Sequence, residues 1–257
     1  KIEGGIGVIS SRFTVTTPII RDKLMLLAGG RVGFTDFLFP LLIPRLKNTK
    51  ANFSDSTVKL LYLPNENNQL TYTHFYSKDF YQLDLISSIE NIVSSSNQYD
   101  FGTSNHTLRW LHGFENGTNL VGTLVHSSYL PKNLFPEIDS SNVIQFESQI
   151  QYTSAQFEYK DKRKDEFDYY AGVQINQYNI NPGSLDPGSG NSIIPVDLNN
   201  EKSQEFSFFT NLNWNLTKNL SVSSGIRLTH FSLLGPYDQG IYNKDGFFEG
   251  VNTIASN

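Results

Sequence analysis

The chain has 257 residues, of which 38% are hydrophobic and 18% charged, with a formal net charge of −5. Both fractions lie below the soluble-globular average while aromatics reach 13%, a balance that suits sheets with one wet face and argues against a helical bundle. Without a basic block there is no electrostatic basis for nucleic-acid binding, and without cysteine there are no disulfides, thiolate ligands or thiol nucleophiles.

In chain order, the pattern opens in mid-stride at Lys1 and the one methionine is Met25. We therefore expect a piece of a longer protein, with any targeting sequence upstream. A short polar turn at 19–23 leads into LMLLAGGRVGF, Leu24 to Phe34. Every second residue, from Leu24 through Ala28 to Phe34, is apolar or glycine, and the opposite face carries Arg31. Such period-two alternation is the strand signature, because successive side chains point to opposite faces. The run FLFPLLIPRL (37–46) is broken by Pro40 and Pro44 and is expected to anchor a buried loop. A strand carrying Lys59 and Tyr62 ends in the turn PNENNQ (64–69). A long link is expected from Asp79 to Ser104, with a short helix where Leu85, Ile89, Ile92 and Val93 fall at helical spacing.

Beyond Arg109 come a turn at 114–119 and a second long link from Leu130 to Asn142. In NVIQFESQIQYTS, Ile144, Phe146, Ile150 and Tyr152 oppose Gln145, Glu147, Gln149 and Gln151. A charged turn at 160–166 precedes FDYYAGVQINQYN, where Tyr169, Ala171, Val173 and Ile175 form the apolar side. The link from Ile180 to Ser203 contains NPGSLDPGSG, which proline and glycine should keep out of regular structure. EFSFFTNLNWNL sets Leu212 and Trp214 against Asn213, a turn follows at 215–219, and NLSVSSGIRLTHF sets Ile226 and Leu228 against Arg227.

About ten strands of roughly 9–14 residues emerge, long for soluble sheets. Short turns alternate with long links, so the turns share one end and the loops the other, which makes neighbours antiparallel. A ribbon with one apolar face can meet a second sheet in a sandwich, or lipid in an outer-membrane barrel. The strands are long enough to cross a bilayer at a tilt, rings crowd their ends, and turn and loop lengths are unequal as in such barrels. A lysine or arginine at mid-membrane on the lipid face costs about 2–4 kcal/mol, and every mid-strand cation named above is read as inward. The expected fold is all-β, an incomplete antiparallel up-and-down transmembrane β-barrel over residues 1–257, with the apolar side against outer-membrane lipid. The expected lumen-facing residues are Arg12, Arg31, Lys59, Arg109, Glu147, Gln149, Asn213 and Arg227, touching solute or plug.

The stretch GGIGVISSRFTVTTPIIRDKLMLLAGGR (Gly4 to Arg31), followed by NFSDSTVKLLYLPNENNQLTYTHFYSKD (Asn52 to Asp79), resembles the early barrel of TonB-dependent outer-membrane receptors. The nearer resemblance is to the Bacteroidetes type, which carries a carboxypeptidase-like regulatory domain before the plug. Beyond about residue 100 only the hairpin rhythm matches. The resemblance implies a 22-stranded barrel with an N-terminal plug, an energy-transducing TonB-type partner reached through segments preceding Lys1, and in some relatives a surface lipoprotein. It implies import of a scarce solute by plug displacement.

Other chemistry finds little support. The histidines at 74, 106, 112, 126 and 230 are scattered, with no i, i+4 pair and no HExxH, so no metal site and no cofactor are expected. Glycine-rich pieces lack the Lys-Ser/Thr that phosphate cradling requires. Glu147 is the one acid placed with assurance in mid-strand, which is weak support for an enzyme. The alternative is a soluble β-sandwich binding or cleaving carbohydrate, with Tyr237, Tyr242, Phe247 and Phe248 stacking on sugar.

Overall fold

The alternation is realised as a single antiparallel sheet. The computed structural model describes all residues except 37, 38, 40, 42, 44, 45, 47, 85–95, 139, 140, 165, 166, 191, 192, 236, 245 and 255–257. The strands are β1 (Ile2–Ile6), β2 (Ser10–Ile20), β3 (Leu24–Phe34), β4 (Lys50–Asn65), β5 (Asn68–Asp84), β6 (Ser96–Gly113) and β7 (Thr118–Pro136). They continue with β8 (Val143–Lys164), β9 (Phe167–Asp186), the two-residue β10 (Val196–Asp197), β11 (Glu201–Thr217) and β12 (Leu220–Leu233). Each pairs with its predecessor, except that β11 joins β9 directly and β10 pairs β9 from the side. A separate hairpin is formed by β13 (Tyr237–Tyr242) and β14 (Phe248–Ile254).

Several strands are longer than the sequence suggests. β8 has 22 residues and β9 has 20. The expected links at 79–104, 130–142 and 180–203 shrink accordingly, since β5 runs on to Asp84, β6 starts at Ser96, β7 reaches Pro136 and β9 reaches Asp186. The charged turn at 160–166 is likewise mostly strand, with β8 extending to Lys164. Three of the prolines within strands sit where the ladder is already irregular. Pro182 lies at the register shift between Glu147 and Gln149 of β8, and Pro18 and Pro64 lie at shifts of their own, places where a missing N–H costs no ladder bond. At the bulge Asn181 Oδ1 accepts the Gly183 amide at 3.0 Å. The expected helix over 85–95 and most of 37–46 lie outside the described residues. Leu41 and Ile43, which are described, are exposed rather than buried.

No second layer covers this sheet among the described residues. Its buried apolar side chains are Val121, Phe135 and Ile144, while Val173 and Leu212 stay 40% and 37% exposed, so the sandwich alternative has no opposing sheet to form its core.

The registers define a row of partners across nine strands: Leu24, Tyr62, Leu70, Trp110, Gly122, Phe157, Val173, Phe208, Leu228. The next row on the same face reads Leu26, Leu60, Tyr72, Leu108, Leu124, Ala155, Ile175, Phe206, His230. Neither row holds a lysine, arginine or carboxylate. The first row starts at the first residue of β3 yet reaches β12 well inside the strand that begins at Leu220. The edge formed by the short turns therefore slides by about one residue per strand, which at about 3.3 Å per residue and about 4.8 Å between strands is a tilt of about 35°. The apolar band slides with it, from Leu24–Phe34 on β3 down to Trp214 on β11. Above the band the same face turns polar, and its ion pairs sit there: Lys78 with Asp100 at 3.1 Å and Lys132 with Glu147 at 2.7 Å.

Candidate functional site

At the level of the band, it is the opposite face that carries the cations. Arg31 lies between Gly30 and Val32, Lys59 between Val58 and Leu60, Arg109 between Leu108 and Trp110, and Arg227 between Ile226 and Leu228. Because neighbours in a strand point to opposite sides, each cation stands behind the apolar band. Registry aligns Arg12 directly with Arg31, and Arg31 with Asp55. Asn213 shares this face and accepts a hydrogen bond from the Ser223 hydroxyl.

Glu147 and Gln149 do not join them. Lys132 pairs with Glu147 in the same register that aligns Leu124 with Ala155, which puts both residues on the face of the apolar band, above its upper limit. Gln149 Nε2 donates to Ser128 Oγ at 3.4 Å on that side. The expected inward placement of these two is thus reversed. Below the band's upper edge apolar residues face outward; above it, Ile144 and Phe135 turn to the polar face and are 1% and 8% exposed. The rule that apolar means outward inverts within one strand.

Two places on the polar face share a construction. Around β2–β4, the Phe53 ring lies over Gly33, leaving no room for a Cβ there, and the Arg31 guanidinium stands 4.8 Å from the ring centroid. Arg31 Nε and Nη2 both donate to Asp55 Oδ2 at 2.8 Å. This pair is half exposed on the arginine side, so its net contribution is about 0–1 kcal/mol. Its role is to hold Arg31 beside Arg12, two like charges that repel when directly opposite. Arg12 has no carboxylate partner among the described residues, so the pair carries net positive charge. A cavity of about 870 Å³ opens beside Arg12, Arg31 and Asp55.

The second place repeats the motif. Phe209 covers Gly172, Arg227 stands 5.5 Å from its centroid and donates from Nη2 to Gln174 Oε1 at 2.8 Å. Tyr170 meets Phe209 edge-on at 6.4 Å. A depression of about 520 Å³ is lined here by Gln156, Glu158, Tyr170, Phe209, Asn211 and Arg227.

Between and above these lies a network that the sequence reading missed. Tyr152 Oη donates to Asn176 Oδ1 at 2.9 Å, Asn176 Nδ2 donates to Glu205 Oε2 at 2.9 Å, and Tyr178 Oη donates to the same oxygen at 3.2 Å. Asn176 is 5% exposed. Glu205 was visible as the start of a strand, but only registry shows that it meets Asn176 across β9. No cluster of three metal-ligating side chains exists among the described residues.

No family model matches the chain, and no curated protein does. Solved structures do. The ferripyoverdine receptor of the outer membrane of Pseudomonas aeruginosa, bound to ferripyoverdine, aligns with a TM-score of 0.66 at 11% identity, covering 96% of this chain and 37% of that one. The receptor FpvA of that organism bound to heterologous pyoverdines gives 0.66 at 12% identity over 88% and 36%. The Pseudomonas aeruginosa ferric enterobactin receptor PfeA, in a mutant form, gives 0.63 at 12% over 88% and 37%. The chain spans a little over a third of these receptors' length. At such identity the likeness speaks for the fold: an antiparallel up-and-down transmembrane β-barrel, incomplete.

Proposed function

We propose that the chain is a wall segment of the barrel of a TonB-dependent outer-membrane receptor, which imports a scarce solute when energy coupled through the periplasm displaces a plug. The observation that carries this reading is the pairing of a tilted, charge-free apolar band on one face with Arg31, Lys59, Arg109 and Arg227 directly behind it. A sheet wetted on both sides has no reason to segregate cations so strictly, whereas hydrocarbon penalises each by about 2–4 kcal/mol. The fold shared with the ferripyoverdine and ferric enterobactin receptors supports the same conclusion.

In this reading the Arg12–Arg31 pair and the Arg227–Phe209 shelf face the plug or a passing solute, and net positive charge there favours an anionic group. Outer-membrane lipid covers the band. The plug, the TonB-type protein and a surface lipoprotein are partners of the whole receptor, of the Bacteroidetes type with a regulatory domain that the opening residues resemble. The test is fractionation of the full-length parent. It should sediment with outer membranes, stay there after carbonate washing and migrate differently on gels before and after heating. Recovery in the aqueous phase would sink the proposal.

A further inference from the structure

We propose that the polar face carries a cradle for a zwitterionic amino-acid group, with Arg227 receiving its carboxylate and Glu205 its ammonium. The inference rests on the reading that this face lines a passage, and deepens it by naming a chemical class of solute.

Both charged heads lean over β9, away from the free edge of β12. Arg227 Nη2 donates to Gln174 Oε1 at 2.8 Å, while Glu205 Oε2 accepts from Asn176 Nδ2 at 2.9 Å and from Tyr178 Oη at 3.2 Å. Gln174, Asn176 and Tyr178 are alternate residues of one strand and share a face. The guanidinium and the carboxylate are therefore moored two positions apart, about 7 Å along the strand. Among the described residues neither forms an ion pair, with the other or with anything else. Neutral amides hold them apart. Arginine can only donate and a carboxylate can only accept, so Gln174 must present its oxygen and Asn176 its nitrogen. Each amide is also held at its other end, Asn176 Oδ1 by Tyr152 Oη at 2.9 Å and Gln174 Nε2 by Ser154 Oγ at 3.4 Å.

The remaining valences point to the ligand. Arg227 is exposed and Glu205 partly so, so both can be reached. With its plane 5.5 Å from the Phe209 centroid, the guanidinium keeps N–H groups free for a bidentate carboxylate. Glu205 Oε1 is neither bonded to a described residue nor enclosed. The row between the heads has small side chains, Ser207 and Thr229, whose hydroxyls bond at 3.0 Å in register with Gln174. Rings stand on either side, Phe209 below, and above it Tyr178 with Phe231, the register partner of Glu205. A simple anion here would meet the Glu205 carboxylate, and a simple cation the guanidinium. A group bearing both signs satisfies both. An α-amino acid carries them on one carbon, and a hydrogen bond of about 2.9 Å at each end spans the gap, which the termini of a longer peptide would overshoot. The depression of about 520 Å³ beside Arg227 is left for the remainder of the solute.

The test titrates the full-length parent in detergent with L-phenylalanine at neutral pH, followed by saturation-transfer NMR. Two blocked probes accompany it: N-acetyl-L-phenylalanine, which lacks the ammonium, and L-phenylalaninamide, which lacks the carboxylate. Each should bind about tenfold or more weakly than phenylalanine, through loss of one charge-assisted contact. Glu205→Gln retains an oxygen for Asn176 and Tyr178. It should lower phenylalanine to the level of its N-acetyl derivative while leaving that derivative's own affinity unchanged. Arg227→Gln should do the same with respect to phenylalaninamide. Heat-shifted migration of both variants shows that they fold. Phenylalanine bound no better than its blocked forms, no binding at all (as a plug segment seated on the cradle would give), or a Glu205→Gln variant equal to wild type overturns the cradle. Fractionation is scored separately: a parent absent from outer membranes counts against the receptor reading, whichever way the titration goes.

Discussion

At the scale of single residues, the polar face depends on glycines roofed by aromatic rings. Gly172 is the tighter case, since an added Cβ would lie 2.7 Å from the backbone oxygen of Phe157, which cannot rotate away. At Gly33 the nearest obstruction is the Phe53 ring, and a ring can swing. Gly172→Ala should therefore destabilise the folded barrel by about 1–3 kcal/mol, and Gly33→Ala by less. Urea titration of the reconstituted parent, followed by tryptophan fluorescence, checks the order; equal losses would mean that ring displacement, rather than backbone contact, sets the cost. None of this was legible in the sequence. Glycine in a strand announces a bend or a close approach, but which ring covers it depends on registry. The Phe53–Gly33 and Phe209–Gly172 pairs are 20 and more positions apart in the chain.

At the scale of elements, the strands up to the band's upper edge could be read from alternation alone. Leu24–Phe34 emerged with its bounds and faces as the structure has them, because only one medium wets each side there. Beyond that edge the criterion fails. In β8 the pattern around Ile144 and Phe146 is as clear as that around Val173, yet these apolar side chains turn to the polar face, where Ile144 is buried opposite Phe135. This is why Glu147 and Gln149 were assigned to the wrong face. The loop end also has its own fastening. Asn142 Oδ1 accepts from the Ser189 amide at 2.7 Å and from its hydroxyl at 3.2 Å, while Nδ2 donates to the Pro187 carbonyl at 3.0 Å. Gly188 has φ +65 and would press a Cβ into Asn142. Asn142→Ala should free this turn at a local cost of about 1–3 kcal/mol. Faster proteolysis within 187–200, with unchanged heat-shifted migration, is the expected result; an unaltered cleavage rate would show that the turn stands without its clamp.

At the scale of the molecule, β1 and β12 end the sheet with unpaired backbone edges among the described residues, the open ladders of an incomplete barrel. In the proposed reading, the slide of one residue per strand also sets how the cations of the polar face are arranged in depth. Counted along the registers, Arg12 and Arg227 lie far apart, yet each of Arg12, Arg31, Lys59, Arg109 and Arg227 stands four to eight residues from the turn end of its own strand. Tilting the strands by about 35° brings them towards one level, an equatorial girdle of positive charge, of which Arg31 alone has a carboxylate partner among the described residues. Planar-bilayer recording of the parent barrel, once relieved of its plug, should show a reversal potential favouring chloride over potassium, as rings of arginine and lysine do in anion pores. Cation preference would remove this assignment. If the girdle holds, the stagger of the strands, fixed by hydrogen bonding, is what gathers charges scattered along the chain into one ring.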